Sequence, residues 1–180
     1  MPNSSNLSQA SLLDAEILYA TLLQQVQSGL SGADNVAIVG IHSGGAWLAE
    51  RLARDLGLGE RLGVLDVSFY RDDFARKGLH ADIKPTQINF DVAGATILLV
   101  DDVLYTGRTT RAAINELFDY GRPAKIMLAA LVDRGERQLP VAADFVAAFT
   151  AVEAGQALVL KRADDGKFTL TIDTVDTDHA

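Results

Sequence analysis

Within residues 7–30, Leu12, Leu18, Leu22 and Val26 recur at helical spacing, and Gly29 and Gly32 then interrupt the pattern. An amphipathic helix is predicted there. The next pattern differs in kind: Val36-Ala37-Ile38-Val39-Gly40-Ile41 is an unbroken apolar run bounded by polar and glycine residues. Such a run suits a strand buried on both faces. Gly44-Gly45 opens a predicted helix that reaches Leu56. Residues 63–70 and Thr96-Ile97-Leu98-Leu99-Val100-Asp101 are further β-type runs, residues 109–120 read as a helix, and residues 124–132 as another strand. Strands alternating with helices predict a parallel sheet with helices on both faces. Ligands of such sheets bind beyond the carboxyl ends of the strands.

Two stretches break the alternation. Residues 71–94 are polar and contain Gly, Pro and Asp, a length that in a compact domain marks a functional loop, with a β-hairpin as the other option. After Pro140 the pattern turns to short strands, and residues 157–161 and 167–173 flank Ala163-Asp164-Asp165-Gly166, which reads as a hairpin turn. There is no internal repeat. A chain of 180 residues is expected to be one domain, 1–180.

Composition narrows the chemistry. The chain has no cysteine, which removes disulfides and thiolate chemistry, and its three scattered histidines are too few for a zinc cluster. A formal net charge of −8 disfavours nonspecific attraction to nucleic acid or anionic lipid and points to a small-molecule partner. Residues 1–11 are polar and do not read as a signal peptide, and no apolar run approaches a membrane span. A cytoplasmic protein without membrane attachment is expected.

The densest chemistry lies in Ile97-Leu98-Leu99-Val100-Asp101-Asp102-Val103-Leu104-Tyr105-Thr106-Gly107-Arg108-Thr109. An apolar strand delivers two adjacent carboxylates, and a short Thr/Gly loop leads into a helix. Carboxylates accept hydrogen bonds from ribose hydroxyls, while free amides and hydroxyls of residues 106–110 at a helix N-terminus can hold a phosphate. An isolated Asp-Asp pair is more often a solvated strand end with a capping residue. The length of the whole run weighs against that reading here.

The run resembles the phosphoribosyl-pyrophosphate (PRPP) signature of the type I phosphoribosyltransferases. With Leu-Tyr before Thr-Gly-Arg-Thr, then Tyr120-Gly121-Arg122-Pro123 and Leu131-Val132-Asp133-Arg134-Gly135, it is similar to the PyrR family, pyrimidine regulators with uracil phosphoribosyltransferase activity. The resemblance spans residues 36–146. It implies the type I fold: an α/β domain with a central parallel sheet flanked by helices, a mobile loop over about residues 71–94, and a small hood from about residue 133 that carries the C-terminal hairpin.

Residue roles follow from the same resemblance. Asp101 and Asp102 face the ribose hydroxyls, and the backbone of Tyr105, Thr106, Gly107, Arg108 and Thr109 cradles the 5′-phosphate. Ser43, Gly44 and Gly45 form the pyrophosphate loop. Arg71, with Arg76 and Lys77, meets the charge of the leaving group. Asp133, Arg134, Phe145 and Val146 form the nucleobase pocket. Plain alternatives are a helix-initiating turn for Ser-Gly-Gly, a solvated loop for Arg76 and Lys77, and a core position for Phe145. Trp47 is expected to pack in a core or a subunit interface; His42, beside the proposed pyrophosphate loop, either touches the anion or serves structure, and His80 and His179 carry no argument.

The implied reaction is PRPP plus uracil giving UMP and pyrophosphate, with Mg2+ held mainly by substrate rather than by direct protein ligands, in a homo-oligomer of two or more copies. Two other readings stay open. One is transfer to hypoxanthine or guanine, against which Tyr105 stands where purine-specific relatives commonly carry a carboxylate. The other is a UMP-responsive RNA-binding regulator with little enzyme activity, which needs Arg122, Lys125, Arg134 and Arg137 to share a face. Ser43-Gly44, Glu136 and Ala142 replace basic or histidine residues common in the family, so specific RNA attenuation is expected to be weak or absent. The loops that define P-loop and Rossmann nucleotide sites are missing.

Overall fold

The computed structural model describes residues 14–68 and 85–175. Helix α1 (Ala15–Gly29) begins where the Asp14 side chain accepts hydrogen bonds from the Glu16 and Ile17 amides, at 2.9 and 3.2 Å, satisfying two donors that the helix itself cannot. Leu18, Tyr19, Leu22 and Val26 bury its apolar face. The predicted start at residue 7 lies outside the described residues. Strand β1 (Val36–Ile41), helix α2 (Gly44–Asp55), strand β2 (Leu62–Leu65) and the short strand β3 (Gln87–Ile88) follow. Strand β4 (Thr96–Leu104), helix α3 (Arg108–Tyr120), strands β5 (Lys125–Asp133) and β6 (Phe145–Phe149), and the hairpin β7 (Gln156–Arg162) and β8 (Phe168–Thr174) come next among the described residues.

The main sheet has the order β3-β2-β1-β4-β5-β6. All neighbours run parallel except the β2–β3 pair at one edge. The central strands are continuously apolar because both faces are covered. Leu98 and Val100 of β4 pack in one cluster with α1 and α2, while Ile97 and Leu99 pack in another with Ala113 and Leu117 of α3. No helix among the described residues is long and apolar enough to cross a membrane.

Three departures from the sequence reading shape the site. The strand expected over residues 63–70 ends at Leu65, because the Asp66 amide leaves the ladder for Thr86 Oγ1 at 3.1 Å and its carboxylate accepts from the Ser68 amide at 2.9 Å. Strand β4 runs on through Leu104, pairing with β5 as far as Asp133, whereas its pairing with β1 stops at Val100. Asp101 and Asp102 therefore belong to a strand that overhangs β1. Residues 145–149, which fall in the stretch expected to form the hood from about residue 133, make a sixth strand of the main sheet.

The hairpin is a separate two-stranded sheet closed at residues 163–166, as predicted, with Gly166 at φ +84°. Two sets of contacts fasten it to the helices: Arg162 of β7 pairs with Glu50 of α2, and β8 joins a cluster on α1 and α2. Arg51 of α2 meets both carboxylate oxygens of Glu16 at 2.8 Å, lies 4.1 Å over the Tyr19 ring and 5.2 Å over Phe168, and Glu16 also accepts the Phe168 amide at 2.7 Å. Hydrogen bonding from Arg51, partly opposed by burial, holds the Glu16 carboxyl below its ordinary range. Burial and a 2.7 Å hydrogen bond to Asp55 push the Tyr19 hydroxyl well above its usual range.

Candidate active site

The overhang of β4 and the first turn of α3 floor a cleft of about 720 Å³ at the carboxyl ends of the strands. Asp101 is buried and accepts the Asp102 amide at 3.0 Å. The Asp102 carboxylate lies against the start of α2: a Cβ placed on Gly44 would stand 2.3 Å from Asp102 Oδ2, and one on Gly45 would stand 2.4 Å from the Val100 carbonyl. The glycine pair thus lets a helix N-terminus approach the carboxylates more closely than any side chain allows. Ser43 stands at the N-cap of α2 without a side-chain capping bond, and Ser43–Gly45 do not themselves line the cleft.

Beyond Leu104 the chain turns through Tyr105 and Thr106 to Gly107, whose φ of +90° needs glycine, and α3 starts at Arg108. Thr106 Oγ1 accepts the Arg108 amide at 3.3 Å. The remaining first-turn amides and the positive end of the helix make this turn receptive to an anion. Thr110 lines the cleft, is buried, and has a hydroxyl with no partner. Two further amides buttress the turn from outside, as Gln138 and Leu139 donate to the Thr106 carbonyl at 3.0 and 3.1 Å.

The facing wall combines Arg134 and Glu136 with residues 154–158 and Val175. The Arg134 guanidinium lies 3.9 Å over the Tyr105 ring, donates to the Gln156 carbonyl at 3.3 Å and sits 3.7 Å from Glu136. Nothing in the local pattern of residues 154–158 marked them as site residues. Their place follows from the hairpin folding back across the sheet end.

Of the expected nucleobase residues, the structure brings only Arg134 to the cleft. Asp133 is buried with its carboxylate turned to Arg137 and to the Gly135 amide at 2.9 Å, away from the cleft. Phe145 and Val146 begin β6, where they pair with Ala129 and Ala130 of β5, and neither lines the cleft. A Cβ on Gly29 would stand 2.3 Å from the Phe145 ring, and the Val146 carbonyl accepts from Gln25 at 3.0 Å, so both serve packing against α1. Arg71, Arg76, Lys77, His80 and His179 lie outside the described residues. Trp47 packs against the core and under Arg162, at 5.2 Å.

Among the described residues no group of three or more His, Asp or Glu could hold a metal. Nor do the four cations considered for RNA form one patch. Arg122 and Lys125 precede or open β5 and Arg134 and Arg137 follow it; the strand has nine residues, so at roughly 3.3 Å each its two ends stand about 26 Å apart, with one pair at each end.

Comparison with known proteins agrees with this geometry. The phosphoribosyl transferase domain family matches residues 8–161. A protein of Ralstonia nicotianae named bifunctional protein PyrR is 54% identical over 164 residues, 88% of this chain and 94% of that one. A Nitrosococcus oceani protein of the same name is 43% identical, covering 92% and 96%. Among solved structures, purine phosphoribosyltransferase from Pyrococcus horikoshii superposes with a TM-score of 0.58 at 27% identity, over 76% of this chain and 83% of that one. A hypoxanthine-guanine phosphoribosyltransferase from Bacillus anthracis, at 16% identity and a TM-score of 0.62 over 79% and 82%, shares the fold. With a carboxylate pair on an overhanging strand, an anion-receptive helix start beside it and relatives matched nearly end to end, the chain belongs to the PyrR family of phosphoribosyltransferases.

Proposed function

We propose that the protein transfers the phosphoribosyl group of PRPP to uracil, forming UMP and pyrophosphate for pyrimidine salvage. The observation that carries the reading is the continuous 101–110 segment, which presents two carboxylates and then a helix N-terminus at one end of one cleft. The relatives named PyrR favour a pyrimidine over the purines named for the solved structures.

In this reading the first-turn amides of α3, with the Thr106 and Thr110 hydroxyls, bind the 5′-phosphate, and Asp101 and Asp102 accept hydrogen bonds from the ribose hydroxyls. The C1′–oxygen bond breaks with its electron pair leaving on pyrophosphate, uracil N1 bonds to C1′, and the N1 proton passes to solvent. The protein's part is positioning and electrostatics. Arg71 is proposed to offset charge on the leaving group. The base is proposed to sit against the wall formed by Arg134 and residues 154–158, opposite the floor.

The donor set fits Mg2+ only as a substrate-carried ion. Its hard carboxylate oxygens suit that metal, but no three-ligand protein cluster exists among the described residues. Asp102, with ribose and pyrophosphate oxygens, would hold it, and when bound it offsets phosphate charge.

Assaying a panel of bases with PRPP tests the proposal. UMP should form only with a divalent cation present, and far faster than IMP or GMP. Equal or greater turnover with hypoxanthine or guanine overturns the base assignment, and no turnover with any base overturns the enzyme. For regulation, we propose that specific RNA attenuation is weak or absent, supported by the net charge of −8 and by the division of the four cations between the two ends of β5. Tight, UMP-enhanced binding of its own pyrimidine-operon leader RNA at physiological salt would refute this.

A further inference from the structure

The segment after β5 contains an arginine that does not line the cleft and yet reaches into the turn that does. Arg137 pairs with the buried Asp133 carboxylate, donates from Nη1 to the Tyr105 carbonyl at 2.5 Å and to the Gly135 carbonyl at 3.4 Å, and donates from Nε to the Val141 carbonyl at 2.9 Å. One planar group therefore joins three backbone positions, with its counter-ion fixed at the end of a central strand. The Thr106 carbonyl is taken from the same side by the Gln138 and Leu139 amides. Both carbonyls that precede Gly107 are thus held on the outer side of the turn.

That orientation has a chemical consequence. A turn binds an anion when its amides face the hollow and its carbonyl lone pairs face away. If the Tyr105 carbonyl were released, it could swing inward and set a partial negative charge against a phosphate. The Asp133–Arg137 pair cancels its own charge, so what it contributes to the turn is geometry rather than net attraction. Lysine has no fork to span the same acceptors.

We propose that Arg137, fixed by Asp133, is a positioning residue for the phosphoribosyl substrate, presetting the 105–109 turn for the 5′-phosphate. This rests on the reading of the cleft as a PRPP site. It also gives Asp133 a role different from the nucleobase contact expected from sequence, and it explains why a cation at position 137 is not available to an external polyanion.

Steady-state kinetics with each substrate varied, on full-length Arg137→Met, Arg137→Lys and Asp133→Asn, test it. Both Arg137 variants should raise KM for PRPP about tenfold or more while kcat and KM for uracil stay within about threefold, the split expected when one subsite is disordered. Combining Asp133→Asn with Arg137→Met should be no worse than Arg137→Met alone, because the two act as a unit. An unchanged KM for PRPP in either folded Arg137 variant overturns the proposal. So does a parallel loss in kcat and in both KM values, which would mean general loosening. Should Arg137→Met not fold, Arg137→Lys, which keeps the charge, decides the matter alone. Wild-type protein that turns over PRPP but shows no split in the variants refutes this inference and leaves the activity standing; wild-type protein inert toward PRPP refutes both.

Discussion

The floor of the cleft is a single stretch of chain, residues 101–110, whereas the wall facing it is assembled from Arg134, Glu136, residues 154–158 and Val175. The floor takes its shape from neighbours in the sheet and from the start of one helix. The wall depends on a hairpin that is held in place by contacts far from the cleft, chiefly the Glu16–Arg51–Phe168 cluster on the other side of the hairpin. On the proposed reading of the cleft, binding of the phosphoribosyl half draws on local structure, and choice of base on long-range packing. Damage to the two regions should have different kinetic signatures.

The largest effect belongs to the floor. Asp102→Asn keeps the volume but replaces a charged acceptor by a neutral amide, and should lower turnover about a hundredfold or more with the melting temperature nearly unchanged. Near-normal kinetics would mean that the pair is only a strand end. Gly44→Ala comes next. Its methyl group would stand 2.3 Å from Asp102 Oδ2, so the carboxylate must move, and a loss of about tenfold in kcat is expected, with about 1–3 kcal/mol of destabilisation from overpacking. Denaturant titration alongside kinetics separates the two effects.

Changes to the anchoring of the wall should be milder and fall on the base. Arg51→Met removes a partly exposed ion pair and a guanidinium placed against two rings, worth about 1–2 kcal/mol together. KM for uracil should then rise more than KM for PRPP; the reverse order would break the division drawn above. Phe145→Leu tests the wall's boundary. It should cost about 1 kcal/mol of stability through lost packing and leave KM for uracil as it was, whereas a raised KM would return that residue to the base pocket.

The smallest effect is in acid. Because Arg51 holds the Glu16 carboxyl below its ordinary range, the stabilisation is fully present above the unfolded-state value and is lost as pH falls through the lowered folded value. Melting temperature followed downward in pH should therefore fall slightly more steeply for the wild type than for Glu16→Gln. Superimposable slopes would mean that the pair contributes nothing measurable.

Much of the floor was legible because its determinants are contiguous. The apolar run into Asp101-Asp102 and the Thr-Gly step before Arg108 each act within a few residues, and the structure places strand, turn and helix start in that order. The strand boundary was misjudged at Leu104 because β5 extends the ladder beyond β1, a fact about a partner strand. Phe145 was misplaced for a related reason. An aromatic residue after a loop looks the same whether it begins a sheet strand or faces a ligand, and only its pairing beside β5 and its packing on Gly29 distinguish the two.

By itself the sequence determined the alternation of strands and helices, the hairpin turn at residues 163–166 and the carboxylate pair set before a turn and helix start, all of which depend on periodicity or on residues adjacent in the chain, and its resemblance to one family pointed to that family. Only the tertiary structure decided that Asp133 turns to Arg137, that Arg134 lies over Tyr105, and that residues 154–158 close the cleft. These are contacts between segments whose separation along the chain leaves no periodic trace. Their geometry is set by sheet order and by how the hairpin packs on α1 and α2.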